Sequence, residues 1–268
     1  MKLTVLVDNN TYIDRYYYGE PALCCCLEDG DRKLLLDTGY SGVFLDNAKK
    51  LGVELSDVTD IVLSHGHNDH TGGLHAFFEA FPQSHVRVVA HPAVFEAKRD
   101  DTGLSIGSPI GMEQVRAHAE LVLTEKPLQL SENVSFLGAI GRVTAFEKKT
   151  VGYRLTKDGW LEDDLPEDTA LSLRVADGQF LLLGCSHSGV CNIAETAMRC
   201  FPDRRITGLL GGMHLFDVDE RTEKTRDYLE ALHMGTIYPC HCTSFAVRAF
   251  LSRTLCVSEV GVGLTIAW

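Results

Sequence analysis

Residues 65–70 read HGHNDH, a run that places three imidazoles and a carboxylate within six positions and constrains this chain more than any other stretch. It follows Asp60-Ile61-Val62-Leu63-Ser64, an apolar segment of strand character. Thr71-Gly72-Gly73-Leu74 and a helical pattern from Ala76 to Ala80 come after it. The run therefore sits on a strand-to-helix turn. On such a turn His65 and His67 converge on one ion, while Asp69 and His70, one step further round, face a second point close by. A dinuclear metal site is the expectation. Imidazole with carboxylate suits Zn, Fe, Mn or Ni, whereas Ca and Mg prefer oxygen donors alone.

The rest of the composition sets bounds. At 268 residues, with 45% hydrophobic and 23% charged residues, the chain fits one layered α/β domain with a large core. A net charge of -12 argues against nonspecific binding to nucleic acid or to an anionic membrane, both of which need clustered Lys and Arg. The start, Met1-Lys2-Leu3-Thr4-Val5-Leu6-Val7-Asp8, is too short and too soon polar for a secretory signal, and no run approaches a membrane span. A cytoplasmic protein acting on a small molecule is expected. Nine cysteines, an odd count with Cys24, Cys25 and Cys26 adjacent in an apolar segment, point to reduced thiols packed as small hydrophobes.

Along the chain, Asp29-Gly30-Asp31 marks a hairpin between Ala22–Glu28 and Arg32–Leu36, and residues 41–51 read as a helix stopped by Gly52. Pro82 ends the helix after the histidine run, and Val86–Ala90 returns as a strand. A faint echo follows: Asp177-Gly178 leads into Phe180-Leu181-Leu182-Leu183-Gly184-Cys185 much as Asp29-Gly30 leads into Leu34-Leu35-Leu36-Asp37. Residues 93–166 are too long for a connection, and Gly103–Met112 within them is loop-like.

The HGHNDH run resembles the HxHxDH signature of the metallo-β-lactamase superfamily, and Lys33-Leu34-Leu35-Leu36-Asp37-Thr38-Gly39 resembles that family's strand ending in an Asp-Thr-Gly turn. Three later motifs are similar to one branch, the dihydropterin-linked ribofuranosylaminobenzene phosphate synthase-like metallohydrolases. They are Gly184-Cys185-Ser186-His187-Ser188-Gly189, Gly211-Gly212-Met213-His214-Leu215 and Pro239-Cys240-His241-Cys242-Thr243. The resemblance implies a single α/β (α+β) domain over 1–268, folded as a four-layer αββα sandwich. By analogy, an insertion at about 93–166 roofs the substrate pocket.

Four ligands on one loop cannot close two metal sites, so distant segments must supply others. His187, at a strand end between Gly184 and Gly189, is placed to join His65 and His67. His241, at another strand end, resembles the late family His that binds a second metal with Asp69 and His70. Cys185 occupies the place where most superfamily hydrolases carry a bridging Asp. It is either a thiolate ligand or a packed thiol, and in the second case a mononuclear site becomes possible. Asp168 lies near the place of a missing upstream His and is a further candidate ligand. Asp37 is expected to accept the second N–H of a ligand His and so fix its tautomer. His214, in a glycine turn, is read as a substrate contact or general acid, with metal ligation and a structural role as the other readings. Arg142 is a candidate phosphate clamp, against the plainer reading of a surface arginine. Cys240 and Cys242 are expected to point away from His241 into packing, and His75, His85, His91, His118 and His233 to lie on the surface.

The chemistry follows from the metal. A bound ion lowers the pKa of water from ~15.7 to about 7, so metal-bound hydroxide is available at neutral pH. The leading expectation is a metal-dependent hydrolase of a small, phosphorylated or otherwise anionic, ester-type substrate, with Asp69 orienting the nucleophile and His214 delivering a proton. Zinc is the first choice of ion, with Mn, Fe or Ni as alternatives. The branch resemblance also implies a second activity, a synthase joining a pterin unit to ribofuranosylaminobenzene phosphate. A di-iron oxidoreductase lacks its carboxylate bridges and flavin domain here, and a noncatalytic metal module would leave an open dinuclear constellation unused.

Overall fold

The computed structural model describes all residues, 1–268. Two large sheets face one another. The first has seven strands, of which Arg32–Leu36, Asp60–Val62, Arg87–Ala90 and the edge strand Glu120–Leu123 run parallel. Lys2–Val7 and Cys24–Asp29 continue it through antiparallel pairing. The second has six strands, with Gly178–Leu183, Ile206–Gly211 and Ile237–Pro239 parallel and Ala170–Val175 antiparallel to the first of these.

Alternation of side chains across each strand sorts the apolar residues into three cores. Leu34, Leu36, Val62 and Val89 from the first sheet meet Phe136, Leu171, Phe180 and Leu182 from the second. On the outer face of the first sheet, Leu35 and Ile61 pack on Phe44, Leu74 and Phe77 of its helices. On the outer face of the second, Leu181 and Leu183 pack on Ile193, Ala194, Leu229 and Val247. Helix, sheet, sheet, helix is the resulting order of layers, an αββα sandwich. The adjacent cysteines follow the same alternation: Cys25 enters the core between sheets, Cys24 and Cys26 the core under the helices, and all nine are free thiols.

The local expectations are largely met. The hairpin at Gly30 forms, with Cys26 opposite Leu35. A helix spans Val43–Leu51 and closes on Gly52 in the left-handed conformation, φ 69°. Its buried face also carries Asn47, whose amide donates to the carbonyls of Leu6 and Tyr18 and so leaves no donor unmatched. The echo has a structural basis. Strands Arg32–Leu36 and Gly178–Leu183 each pair antiparallel with the preceding strand and parallel with the next, so each sheet is built around an equivalent central strand.

Residues 93–166 are not a single insertion. Glu120–Leu123 completes the first sheet, and Leu128–Gln129 and Val134–Phe136 complete the second, because a chain crossing between two sheets can supply an edge to both. The remainder, Lys98–Arg99 with Tyr153–Thr156 and Gly159–Glu162, forms a separate three-stranded sheet. No helix is long and apolar enough to cross a membrane.

Candidate metal centre

Every candidate ligand lies at the carboxyl end of a parallel strand, where open α/β sheets place their functional loops. From the first sheet come Asp37 and the 65–70 turn. From the second come Cys185 and His187, then His214, then His241. Facing sheets bring these ends together. Four non-glycine residues on these loops take left-handed backbone: Asp37 (φ 59°), Ser186 (φ 57°), His214 (φ 49°) and His241 (φ 50°). Such conformations cost about 1 kcal/mol or more each and persist where the surrounding structure imposes them.

Asp37 organises the first half of the site. Its Oδ1 accepts from Ser64 N (2.7 Å), and its Oδ2 accepts from Ser64 Oγ (2.7 Å) and His70 Nδ1 (2.6 Å). With its proton given to Asp37, Ser64 Oγ accepts from His65 Nδ1 at 2.9 Å. One buried carboxylate thus turns the Nε2 atoms of both His65 and His70 inward. His241 is held from the opposite side. Its Nδ1 donates to Asn9 Oδ1 (3.0 Å) and its backbone N–H to Asp8 Oδ1 (2.9 Å).

Two overlapping groups result. His65, His67 and His187 face one another with ring centroids 4.7 to 4.9 Å apart. His70 Nε2 lies 3.2 Å from His241 Nε2 and 3.1 Å from Cys185 Sγ, and Cys185 Sγ lies 3.2 Å from His241 Nε2. Asp69 Oδ2 stands 3.3 Å from His241 Nε2. Asp69 and Cys185 each belong to both groups, Asp69 beside His65 and His67, Cys185 beside His65 and His187. The thiol therefore stands between the two groups.

The electrostatics suit a cation. Burial pushes His65 and His187 well below the ordinary imidazole value and His67 down to about 3, which keeps their lone pairs free. Burial acts on His70 in the same sense, but the carboxylates of Asp69 and Asp37 outweigh it and raise His70 to about 9. Burial pushes the Cys185 thiol up. His65 Nε2, His67 Nε2 and both ring nitrogens of His187 are buried with no hydrogen-bond partner. Other buried side chains also leave single atoms unpartnered, among them Thr4 Oγ1 and Glu167 Oε2, but only here do several imidazole nitrogens converge on one point, which fits a bound transition metal.

A superfamily profile, the metallo-β-lactamase superfamily, matches residues 18–241. The chain belongs to the metallo-β-lactamase superfamily. An uncharacterized protein of Methanocaldococcus jannaschii, MJ0448, is 30% identical over 254 residues, covering 94% of each chain. From the same organism, 7,8-dihydropterin-6-methyl-4-(beta-D-ribofuranosyl)-aminobenzene-5'-phosphate synthase is 28% identical over 80% of this chain and 76% of its own. Among solved structures, Tm1679, a metal-dependent hydrolase of the beta-lactamase superfamily, aligns with a TM-score of 0.86 at 26% identity over 100% of this chain and 99% of its own. The family binds divalent metals, and the candidate ligands above are where this chain would hold them.

A cavity of about 550 Å³ opens onto the cluster, with His67, Asp69, Cys185, His187, His214 and His241 in its wall. A larger cleft, about 850 Å³, lies at the other end of the strands beside Met1, Asp177 and Trp268 and holds none of the candidate ligands. His214 sits against His187, ring centroids 4.2 Å apart, with its Nδ1 unpartnered, but outside both ligand groups.

Some expectations fail. Asp168 is not with the ligands; its Oδ2 accepts from the backbone N–H (2.9 Å) and hydroxyl of Ser188, supporting the loop that carries His187. Arg142 follows the plainer of its two readings, a surface arginine: it is exposed and spends its guanidinium on the carbonyls of Asp164 and Leu165, away from the cavity. Cys240 is packed between the sheets as expected, but Cys242 lines the cavity. The left-handed turn at His241 swings the next side chain back toward the site. His91 is buried, its Nδ1 accepting from Ala93 N to cap a short 3-10 turn. Asp8 and Asn9 were missed, although they end the strand Lys2–Val7 as Asp37 ends its own, a signal the same strand-end argument would have found.

Proposed function

We propose that this chain is a metal-dependent hydrolase of a small molecule with an ester-type bond, carrying up to two divalent transition metal ions. The observation that carries the reading is the set of buried, unpartnered imidazole nitrogens turned into one open cavity. His65, His67 and His187 would hold one ion, and Asp69, His70 and His241 the other, with Cys185 between them. Zinc suits this nitrogen, oxygen and sulfur donor set best, with Mn, Fe and Ni as alternatives. When bound, the metal polarises the scissile group and makes water acidic enough to attack near neutral pH.

The chain's own residues supply the rest. Asp69, lowered by His70 and His241 against the opposing effect of burial, stays ionised and orients the attacking water. His214, across the cavity wall, delivers a proton to the leaving group. No Lys or Arg lines the cavity, and Asp100 does, which favours carboxylic ester, lactone or amide over the phosphorylated substrate expected from the sequence. The synthase reading is favoured by the 28% identical relative, but its phosphate-bearing substrate would find no cationic side chain in this wall.

Metal analysis of protein purified without added metal tests the reading, alongside His67→Ala, His187→Ala and Cys185→Ala. Roughly two equivalents are expected, falling in all three variants, together with metal-dependent cleavage of simple aryl esters. Normal metal content in His67→Ala would remove the ligand assignment. Turnover that demands two organic substrates would favour the synthase.

A further inference from the structure

A second cavity, about 570 Å³, lies on the far side of the loop Gly103–Met112 from the metal cluster. The two cavities share Tyr40 and Asn68 in their walls. The loop divides them residue by residue: Ile106 faces the metal cavity, while Ser105 and Gly107 on either side of it face the second. This partition is held in place. Asn68 N–H donates to Ile106 O (2.9 Å), Ile106 N–H donates to Lys98 O (3.1 Å), and His67 bridges to Gly107 as in an antiparallel pair. On the other wall Gly72 approaches Tyr40 so closely that a Cβ there would collide with the Tyr40 carbonyl.

The chemistry of the second cavity is uniform. No Lys, Arg, Asp or Glu lines it, and its one ionisable imidazole, His75, pairs with Glu79 at 3.2 Å. Asn68, Tyr40 and Ser105 make no side-chain hydrogen bond within the protein, and Gln114 commits only its Oε1, to Gly111 N–H. The Asn68 carboxamide, the Gln114 Nε2 amide group and two hydroxyls are therefore free to bond a ligand. Carboxamides pair reciprocally with amides, donating N–H and accepting at C=O.

We propose that this cavity is a distal substrate-binding pocket that takes an uncharged, amide-bearing extension of the substrate, entered across Tyr40 and Asn68 from the metal cavity. The substrate is then elongated: its scissile bond lies among the histidines and its amide portion lies behind the 103–112 loop. The proposal rests on the hydrolase reading for where the scissile bond lies, and its binding arm is independent of turnover.

The test compares zinc-loaded full-length protein on three aryl esters: 4-nitrophenyl acetate, the 4-nitrophenyl ester of N-acetylglycylglycine, and mono-4-nitrophenyl glutarate. The neutral amide ester should exceed both others in kcat/KM by about tenfold, the worth of one to two net hydrogen bonds. Ser105→Trp and Gln114→Trp, which fill the cavity from exposed positions, should bring the ratio of the amide ester to the acetate toward one, with zinc content as the check on folding. An unchanged ratio in folded variants, or a preference for the anionic glutarate, overturns the proposal. If no ester is cleaved beyond the metal-free control, the hydrolase reading fails, and binding of N-acetylglycylglycine amide decides the pocket by saturation-transfer NMR. Binding that both tryptophan variants abolish supports it; no binding to the parent protein overturns it.

Discussion

His70 Nε2 and His241 Nε2 stand 3.2 Å apart while their Nδ1 atoms are committed outward, to Asp37 Oδ2 and Asn9 Oδ1. Two nitrogens so placed share a single position for a positive charge, which a proton or a metal can fill. The carboxylates of Asp37 and Asp69 favour that charge. The consequence is a site whose affinity depends on residues that never touch the ion.

Asp37→Asn should therefore weaken metal binding by about 10- to 100-fold, because both the direct bond to His70 and the relay through Ser64 to His65 lose their acceptor charge. A competition titration against a chelating dye measures it. Unchanged affinity would mean that the histidine orientations are set by packing alone.

His214→Gln should leave zinc content intact and lower kcat for ester cleavage by roughly 10²- to 10⁴-fold, the range for removal of a general acid. The split between metal content and kcat is the informative readout. Loss of metal would instead make His214 a ligand, which its place outside both ligand groups argues against.

Lys98 is fully buried, with its Nζ 2.5 Å from Asp163 Oδ2 and 2.8 Å from Glu167 Oε1. Glu167 Oε1 also accepts from Gly66 N–H (3.4 Å), inside the histidine run. Lys98→Met should destabilise the fold by about 3–5 kcal/mol, since buried Glu167 loses its counter-charge and buried Asp163 keeps only Arg154, whose Nε stands 3.6 Å away. Denaturant unfolding of the metal-free protein checks it. A loss below about 1 kcal/mol would place the cluster in contact with water.

Asp29 joins the two sheets, accepting from Ser131 Oγ (2.6 Å), Asn133 Nδ2 (2.9 Å) and Asn133 N–H (3.1 Å). Burial opposes its charge, but these bonds outweigh burial and hold its carboxyl below the ordinary value. A depressed folded value means that the stabilisation is fully present above the unfolded pKa, roughly 3.9, and is lost as pH falls through the folded value. Asp29→Asn should be less stable than the parent at pH 7 by roughly 1 kcal/mol, with the gap closing below about pH 4. Thermal unfolding across pH 2.5–7 measures it; a gap independent of pH would refute the ionic part of the argument.

The sequence by itself determined the local elements and, through its motifs, the family and hence its layers. Short-range patterns carry such information: an apolar segment marked Cys24, Cys25 and Cys26 as packed thiols, Gly30 and Gly52 marked a turn and a helix stop, and HGHNDH on a strand-to-helix turn pointed to metal ligands. Strand ends pointed to Asp37, His187 and His241 by the same local logic. Tertiary structure alone decided how those ends meet. That Cys185 stands between both ligand groups, that Asn9 orients His241 from 232 positions away, and that Lys98 is neutralised by Asp163 and Glu167 follow from how two sheets stack. So do the commitment of Arg142 to backbone carbonyls and the turn of Cys242 into the cavity. Each is a contact between segments that share no periodicity, and its geometry is fixed by sheet packing and by a left-handed turn that a local residue pattern does not encode.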